Sequence, residues 1–600
     1  MGGQGFLFLT KLSISGNSSA GAWSTSDPSV INVNSSGLAT AQGVGSANII
    51  YTVTGTGGCS DATDTYAMTV TAGIVTTGNG SNWNDVNSWT SGVVPTAAQN
   101  ITISHDITVN TNTNDLGDLT IDNGVTLTVA SYTLEASGTV DVNGTLSMGA
   151  SAVVNIDGTY DATNGNTTFT GSGTLKLGST VTSLGTFAKA TDCTVEYDGG
   201  NQSVIGLNAS ASKSYYNLTI NGTGTKTLSG NSKIYGDLAL TASDFDINGN
   251  TIYPVSNITR TSGNLIASSN SDITFATGSS HNLCEFSDNQ ISINTSGSTS
   301  KTITPTGNID CRIIDLSNPN STFLLDGETV TLDEKLDIEE GTFQITGGTL
   351  NINDNTADAL ILVTADATLN IDAGTINVGA SNNSGSQLDM ANGIIDISGG
   401  TLNINDELDI ETGTITQTGG TINIKNYVGA GNGSSTSKFD MEGGTLNLTA
   451  GTLRINGQTT TSASSNPAID IASGVTVNAN LNHTTLIQTN NISSEDEDIY
   501  INMNGNDLGA LNINLSGHEV YMQANTNALG ALTVTAGTLD LSTYTSTVAG
   551  ATDIDGVLTM STGTYDANGA FDATGGTVTF TGAGQLNIAG AITDLGTFTE

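Results

Sequence analysis

Basic residues are scarce in this chain: 13 Lys and Arg stand against 56 Asp and Glu in 600 residues, a formal charge of -43. A surface of that sign repels phosphate backbones and anionic headgroups, which argues against binding to nucleic acid or to a membrane surface. No window approaches the ~20 consecutive apolar residues that cross a bilayer, so membrane insertion is not expected. Cysteine is nearly absent, and Cys59, Cys193, Cys284 and Cys311 show no C-x-x-C spacing, which removes zinc-ribbon and dithiol redox chemistry. Proline, at 6, and aromatic residues, at 5%, are also few. No stretch joins a 3.6-residue apolar period to helix caps, so helices are not expected.

Glycine is abundant, at 74 residues, and it falls in a recurring phrase. Gly-Gly-Thr-Leu-Asn-Ile occupies 347–352 and 399–404, with close relatives at 419–424 and 443–448. Its threonine position recurs at Thr349, Thr375, Thr401, Thr421 and Thr445, an uneven interval that suits one turn of an elongated β-solenoid. Strict alternation, as in Leu119-Thr-Ile121, Val125–Val129 and Leu350-Asn-Ile352, points aliphatic side chains inward and Thr or Asn outward. The expected fold is therefore all-β, with a long parallel β-helix, right-handed by the usual crossover rule, over residues 83–600. Outward pairs such as Thr126 with Thr128, Thr414 with Thr416 and Thr577 with Thr579 suggest a hydroxyl array. Unequal coil lengths are expected to scatter such pairs over different faces and so to rule out ice binding.

The first residues, 1–10, are apolar but lack a basic start and a cleavage site, and they read as a leader or the remnant of a preceding segment. Residues 11–73 differ from the rest, with short alternating runs such as Val30–Val33 and Asn48–Val53. The strings Trp23-Ser-Thr-Ser-Asp-Pro-Ser-Val30 and Gly37–Ile49 closely resemble the group-two bacterial immunoglobulin-like domain, which implies a small β-sandwich used as a spacer. Residues 74–82 read as a linker. The series Trp83-x5-Trp89, Gly92, Pro95 and Ile101–Val109 resembles the opening of β-helix regions in Bacteroidota surface proteins. Trp83 and Trp89 either cover the open end of the solenoid or stack on sugar.

A longer repeat overlies the coils. Thr168–Lys189 matches Thr579–Glu600, and Asn112–Thr120 matches Asn525–Thr533, so residues 525–600 begin a second copy of the module at 112–189. The second copy stops where the first continues, and the chain is expected to be a piece of a longer protein. The phrases Thr194–Val204 and Tyr215–Ile220 are similar to those of gliding-type adhesins of Bacteroidota, which implies an extracellular, cell-surface location.

Chemistry-bearing patterns are thin. Carboxylate pairs such as Asp244 with Asp246, or Asp406 with Asp409, arise by chance in so acidic a chain, and His105, His281, His483 and His518 form no ligand pattern. The run Glu495-Asp496-Glu497-Asp498, followed by Asn502, Asn504, Asn506 and Asp507, is dense enough in oxygen to hold Ca²⁺ or else is a solvated loop. Asn353-Asp354-Asn355 with Asp358 is a second, weaker candidate. No other cofactor is called for. Cys284 and Cys311 lie about one coil apart, where stacked strands at ~4.8 Å permit a disulfide, and two buried thiols are the alternative. The expected function is a non-enzymatic, adhesive rod whose partners are surface glycans or further copies in a filament. The alternative is a β-helix that binds or degrades polysaccharide.

Overall fold

The computed structural model describes residues 6–7, 21–70, 73–208, 213–353, 359–379, 387–425, 438–456, 467–488, 498–528 and 530–600. Among these the fold is all-β, apart from one 3₁₀ turn at Val86–Ser88. Near the N-terminus, Gly45–Val53 pairs antiparallel with both Ala22–Thr25 and Ala62–Val70, and Ala39–Ala41 pairs antiparallel with Ile31–Val33 and Phe6–Leu7. Val30, Ile31, Ala39, Ala47 and Ile49 form a small separate core there, with Trp23 packed against it.

Parallel stacking begins at Ile74–Val75, which pairs with Ile101–Thr102. The first rung therefore falls inside the segment that composition marks as a linker, because this short apolar pair is in phase with the strand beyond it. Trp83 and Trp89 are both buried beneath the first coil, edge to face with ring centroids 4.7 Å apart. Trp89 Nε1 donates to the Trp83 carbonyl at 2.8 Å. With both rings enclosed they close the end of the solenoid, and the sugar-stacking alternative is ruled out.

From there the chain is a β-solenoid of about 21 turns. Three strands make each early coil. Leu119–Ile121, Thr126–Val129 and Thr133–Ala136 stack residue for residue on Val140–Val142, Thr145–Met148 and Val153–Ile156 of the next coil. Between Ile309 and Ile352 extended backbone continues for 44 residues. At ~3.3 Å per residue that would reach ~145 Å if straight, so it must turn corners and wrap on itself. The Phe323 and Phe343 rings of successive coils stack 5.4 Å apart, 7° from parallel.

Register holds although coil length does not. Thr375 pairs with Thr401 and Thr401 with Thr421, and then, across visibly longer coils, Thr421 pairs with Thr452 and Thr452 with Thr484. The extra residues enter at corners, while Leu350, Ile376, Leu402, Ile422 and Leu453 keep one inward column at no more than 1% exposure. The repeated Gly-Gly explains itself at such a corner. Gly400 has φ +64°, and a Cβ there would meet the Gly374 carbonyl oxygen at 2.7 Å.

Two substitutions test this account. Leu402→Ala removes a fully buried branched side chain and is expected to cost about 2–5 kcal/mol. Because each coil touches only its neighbours, the loss should appear first as faster amide hydrogen exchange around 376–424 and leave 119–156 unchanged. Uniform acceleration along the whole chain would refute the column picture. Gly400→Ala should act at the same coils through backbone strain.

Candidate functional site

One outward column runs along much of the solenoid. In register it carries Thr274 on Asn294 and Asn294 on Asp315. Farther on it carries Asp337, Ile361, Asp389, Asp409, Asp440, Asp470 and Asn502. The aspartates lie outside because each is the middle residue of an apolar triplet, Leu388-Asp-Met390, Leu408-Asp-Ile410, Phe439-Asp-Met441 and Ile469-Asp-Ile471. Alternation then buries both flanks and turns the carboxylate to solvent.

Stacked like charges perturb one another. Burial first, and then Glu407, Asp440, Asp389 and Glu442, push the Asp409 carboxyl up to about 6. Asp315 is also raised to about 6, by burial and then by Asp337 and Glu339, against the opposing Ser317 hydrogen bond and Lys335. Other groups relieve the column. Lys438 bonds Asp440 and lies 3.9 Å from Glu407, Lys335 donates to Asp337 at 2.6 Å, and Asn502 donates to Asp470 at 2.9 Å. Burial opposes the Lys438 charge, but Asp440 and Glu407 outweigh it and raise its pKa.

The residues expected to hold Ca²⁺ are only partly in view: Glu495, Asp496 and Glu497 lie outside the described residues, as do Asp354, Asn355 and Asp358 of the weaker candidate. Asp498 Oδ1 accepts the Glu519 amide at 3.0 Å. Burial raises Asp507 to about 6. Among the described residues no three His, Cys, Asp or Glu side chains gather as a metal site. The carboxylate pair Asp244 and Asp246 fixes turns, accepting the Asn264 amide at 2.8 Å and the Asn248 and Ser268 amides at 2.9 Å.

All four cysteines are free thiols, so of the two readings of Cys284 and Cys311 the structure has the two buried thiols and not the bridge. Phe286 pairs with Ile309, so Cys284 precedes that register point while Cys311 follows it, and the two never face each other. Burial pushes the Cys284 thiol up to about 11 and raises Cys311 as well.

Several cationic side chains are structural. Lys226 is fully buried and donates to the carbonyls of Gly199, Gly200 and Thr223 at 2.8–2.9 Å. Lys301 closes a corner through the Ser296 and Thr299 carbonyls. Their phase was the available signal, since Lys226 alternates with the inward Leu228 and Lys301 with the inward Ile303. Buried His483 bridges the Leu508 carbonyl and Gln417 Oε1. His281 Nδ1 faces the Ser256 carbonyl.

A second outward face aligns hydroxyls across coils of unequal length, but not the Thr-x-Thr pairs: Thr414 and Thr416 stack on Ile394 and Asp396 and on Thr445 and Asn447. Thr349, Thr375, Thr401, Thr421, Thr452 and Thr484 form one column, and Asn351, Asn377, Asn403 and Asn423 form the next. The amides bond head to tail: Asn377 donates to Asn351 at 2.8 Å, Asn403 to Asn377 at 2.8 Å and Asn423 to Asn403 at 2.9 Å. Asn456 donates to Asn423, and Gln488 to Asn456, extending the ladder. Such a ladder is self-satisfying because an amide both donates and accepts.

No family model, curated protein or solved structure matches this chain.

Two outcomes follow from these columns. A carboxyl raised in the folded state favours folding when protonated, so its contribution is full at low pH and is lost as pH rises through about 6 for Asp409. Asp409→Asn should therefore raise the thermal midpoint at pH 7.5, with the gain shrinking as pH falls through about 6 and vanishing only below the unfolded carboxyl's ~3.9. A gain independent of pH would exclude the charge explanation. Asn403→Ala breaks the amide ladder on both sides and should cost about 1–3 kcal/mol, read as local hydrogen exchange in 377–423.

Proposed function

We propose that this chain is a non-enzymatic segment of an extracellular adhesive rod. The N-terminal antiparallel unit acts as an immunoglobulin-like spacer, and the solenoid as a stiff stalk in a large repetitive surface adhesin. The observation that carries this reading is the register of inward columns, kept from Leu350 to Leu453 across coils of unequal length. A structure that tolerates insertion at its corners while keeping one continuous interior is suited to reach and to display loops. The acidic, Thr- and Asn-rich exterior suits an exposed filament, because it discourages lateral strand addition.

The polysaccharide-cleaving alternative is less well supported. Catalysis at the acidic column would want basic groups beside it, yet Lys226 and Lys301 are spent on corner carbonyls and Lys335 and Lys438 neutralise neighbouring carboxylates. At ~4.8 Å per coil, the solenoid should measure about 100 Å.

Small-angle scattering and electron microscopy of the purified chain should give a straight rod of that order. Beads coated with it should attach to glycan-bearing surfaces more than beads coated with an inert protein. Compact particles, or no attachment above the control, would sink the proposal.

A further inference from the structure

The outward face that carries the aspartates changes character toward its N-terminal end. Lys233 stacks in register with Tyr253. Two residues beyond Lys233, Tyr235 points the same way, with the Lys189 Nζ 3.9 Å and the Lys233 Nζ 4.9 Å from its ring centroid. Lys189 also donates to Ser214 Oγ at 2.6 Å. Tyr216, from the preceding coil, lies flat along Gly236, where a Cβ would approach the ring to 3.0 Å. Tyr216, Tyr235 and Tyr253 are all partly exposed. Among the described residues this is the only place where two ammonium groups reach one aromatic ring.

Two cations on one ring repel each other. Burial chiefly, and Lys233 in addition, hold the Lys189 pKa below the usual lysine value. In a chain with 56 acidic residues, Lys233 has no carboxylate partner among the described residues. The charge of -43 repels extended polyanions, but at physiological salt it is screened beyond ~8 Å, so a single carboxylate answers mainly to the two ammonium groups beside it. Two acids border the patch: Asp192, hydrogen-bonded to the Tyr216 phenol, and Asp237 raise that phenol after burial.

We propose that this patch binds a glycan unit bearing a single carboxylate, an acidic sugar. The carboxylate sits between Lys189 and Lys233 and relieves their repulsion, while the tyrosine rings offer flat apolar faces to the C–H face of the pyranose. A long polyanion does not fit, because farther along this face it would meet the acidic column that starts at Asp315. The inference rests on the adhesive reading and names the class of sugar that the rod would hold.

The test is calorimetric titration of the full chain at physiological salt with the methyl glycoside of galacturonate and with the neutral methyl galactoside. The galacturonate should bind about tenfold more tightly than the neutral sugar. Lys233→Gln and Tyr235→Ala should each weaken it about fivefold, whereas Tyr235→Phe keeps the ring and Tyr132→Ala, on another coil, should change little. Thermal midpoints of all variants are measured alongside, and if Tyr235→Ala is unfolded, Lys233→Gln decides. Equal binding of both sugars, absence of binding, or binding indifferent to Lys233→Gln would each overturn the assignment. An intact rod that binds no acidic sugar refutes this inference alone, while loss of the rod shape refutes the broader reading.

Discussion

Residue-for-residue parallel pairing between successive coils is the constraint on which everything else depends. A single coil cannot bury its own interior, so its backbone groups and its Leu and Ile side chains find partners only above and below. Slippage by one residue would turn Leu402 outward and Asn403 inward, exchanging an apolar column for unpaired amides. That penalty recurs at every rung, so length variation is forced into the corners. The second glycine of each Gly-Gly phrase lets the chain round such a corner where the neighbouring carbonyl leaves no room for a side chain.

The same geometry has opposite energetic consequences for different outward residues, because parallel register places like upon like. Stacked Asn side chains gain, since each amide can donate to one neighbour and accept from the other. Stacked Asp side chains lose, since ionised carboxylates can only accept. The chain keeps both kinds of column on separate faces. It interrupts the acidic one with Ile361 and Asn502, sets Lys438 beside it on Glu407, and lets Asp315 and Asp409 hold their protons to higher pH.

Periodicity made the solenoid legible. The Gly-Gly-Thr-Leu-Asn-Ile phrase and the two-residue alternation carry fold class, facing and coil size, because these are local properties of the chain. What stacks on what is a cross-coil property that depends on where each insertion sits. Asp409 and Asp440 pair across one of the longer coils, and nothing between them in sequence reveals that the loop after Lys425 leaves their register intact. The amide ladder and the aligned threonines stayed hidden for the same reason, and so did the mismatch between Cys284 and Cys311. The inward placement of Lys226 and Lys301, by contrast, is a local property, since each shares the phase of an inward aliphatic neighbour, Leu228 and Ile303.

Because the stabilising columns lie inside and at the Asn ladder, the remaining outer surface contributes local turns and ion pairs but no part of the continuous interior. Its composition can therefore vary from coil to coil without cost to the interior, and departures from the Thr and Asn background mark places under some other constraint. The acidic column raises the energy of the folded state at neutral pH, and the paired lysines over Tyr235 repel each other. Neither is demanded by the inward packing, since the same coils would stack with neutral residues at those positions. Outward residues that work against folding, on a scaffold that does not need them, carry a cost that the stacking of the coils does not explain.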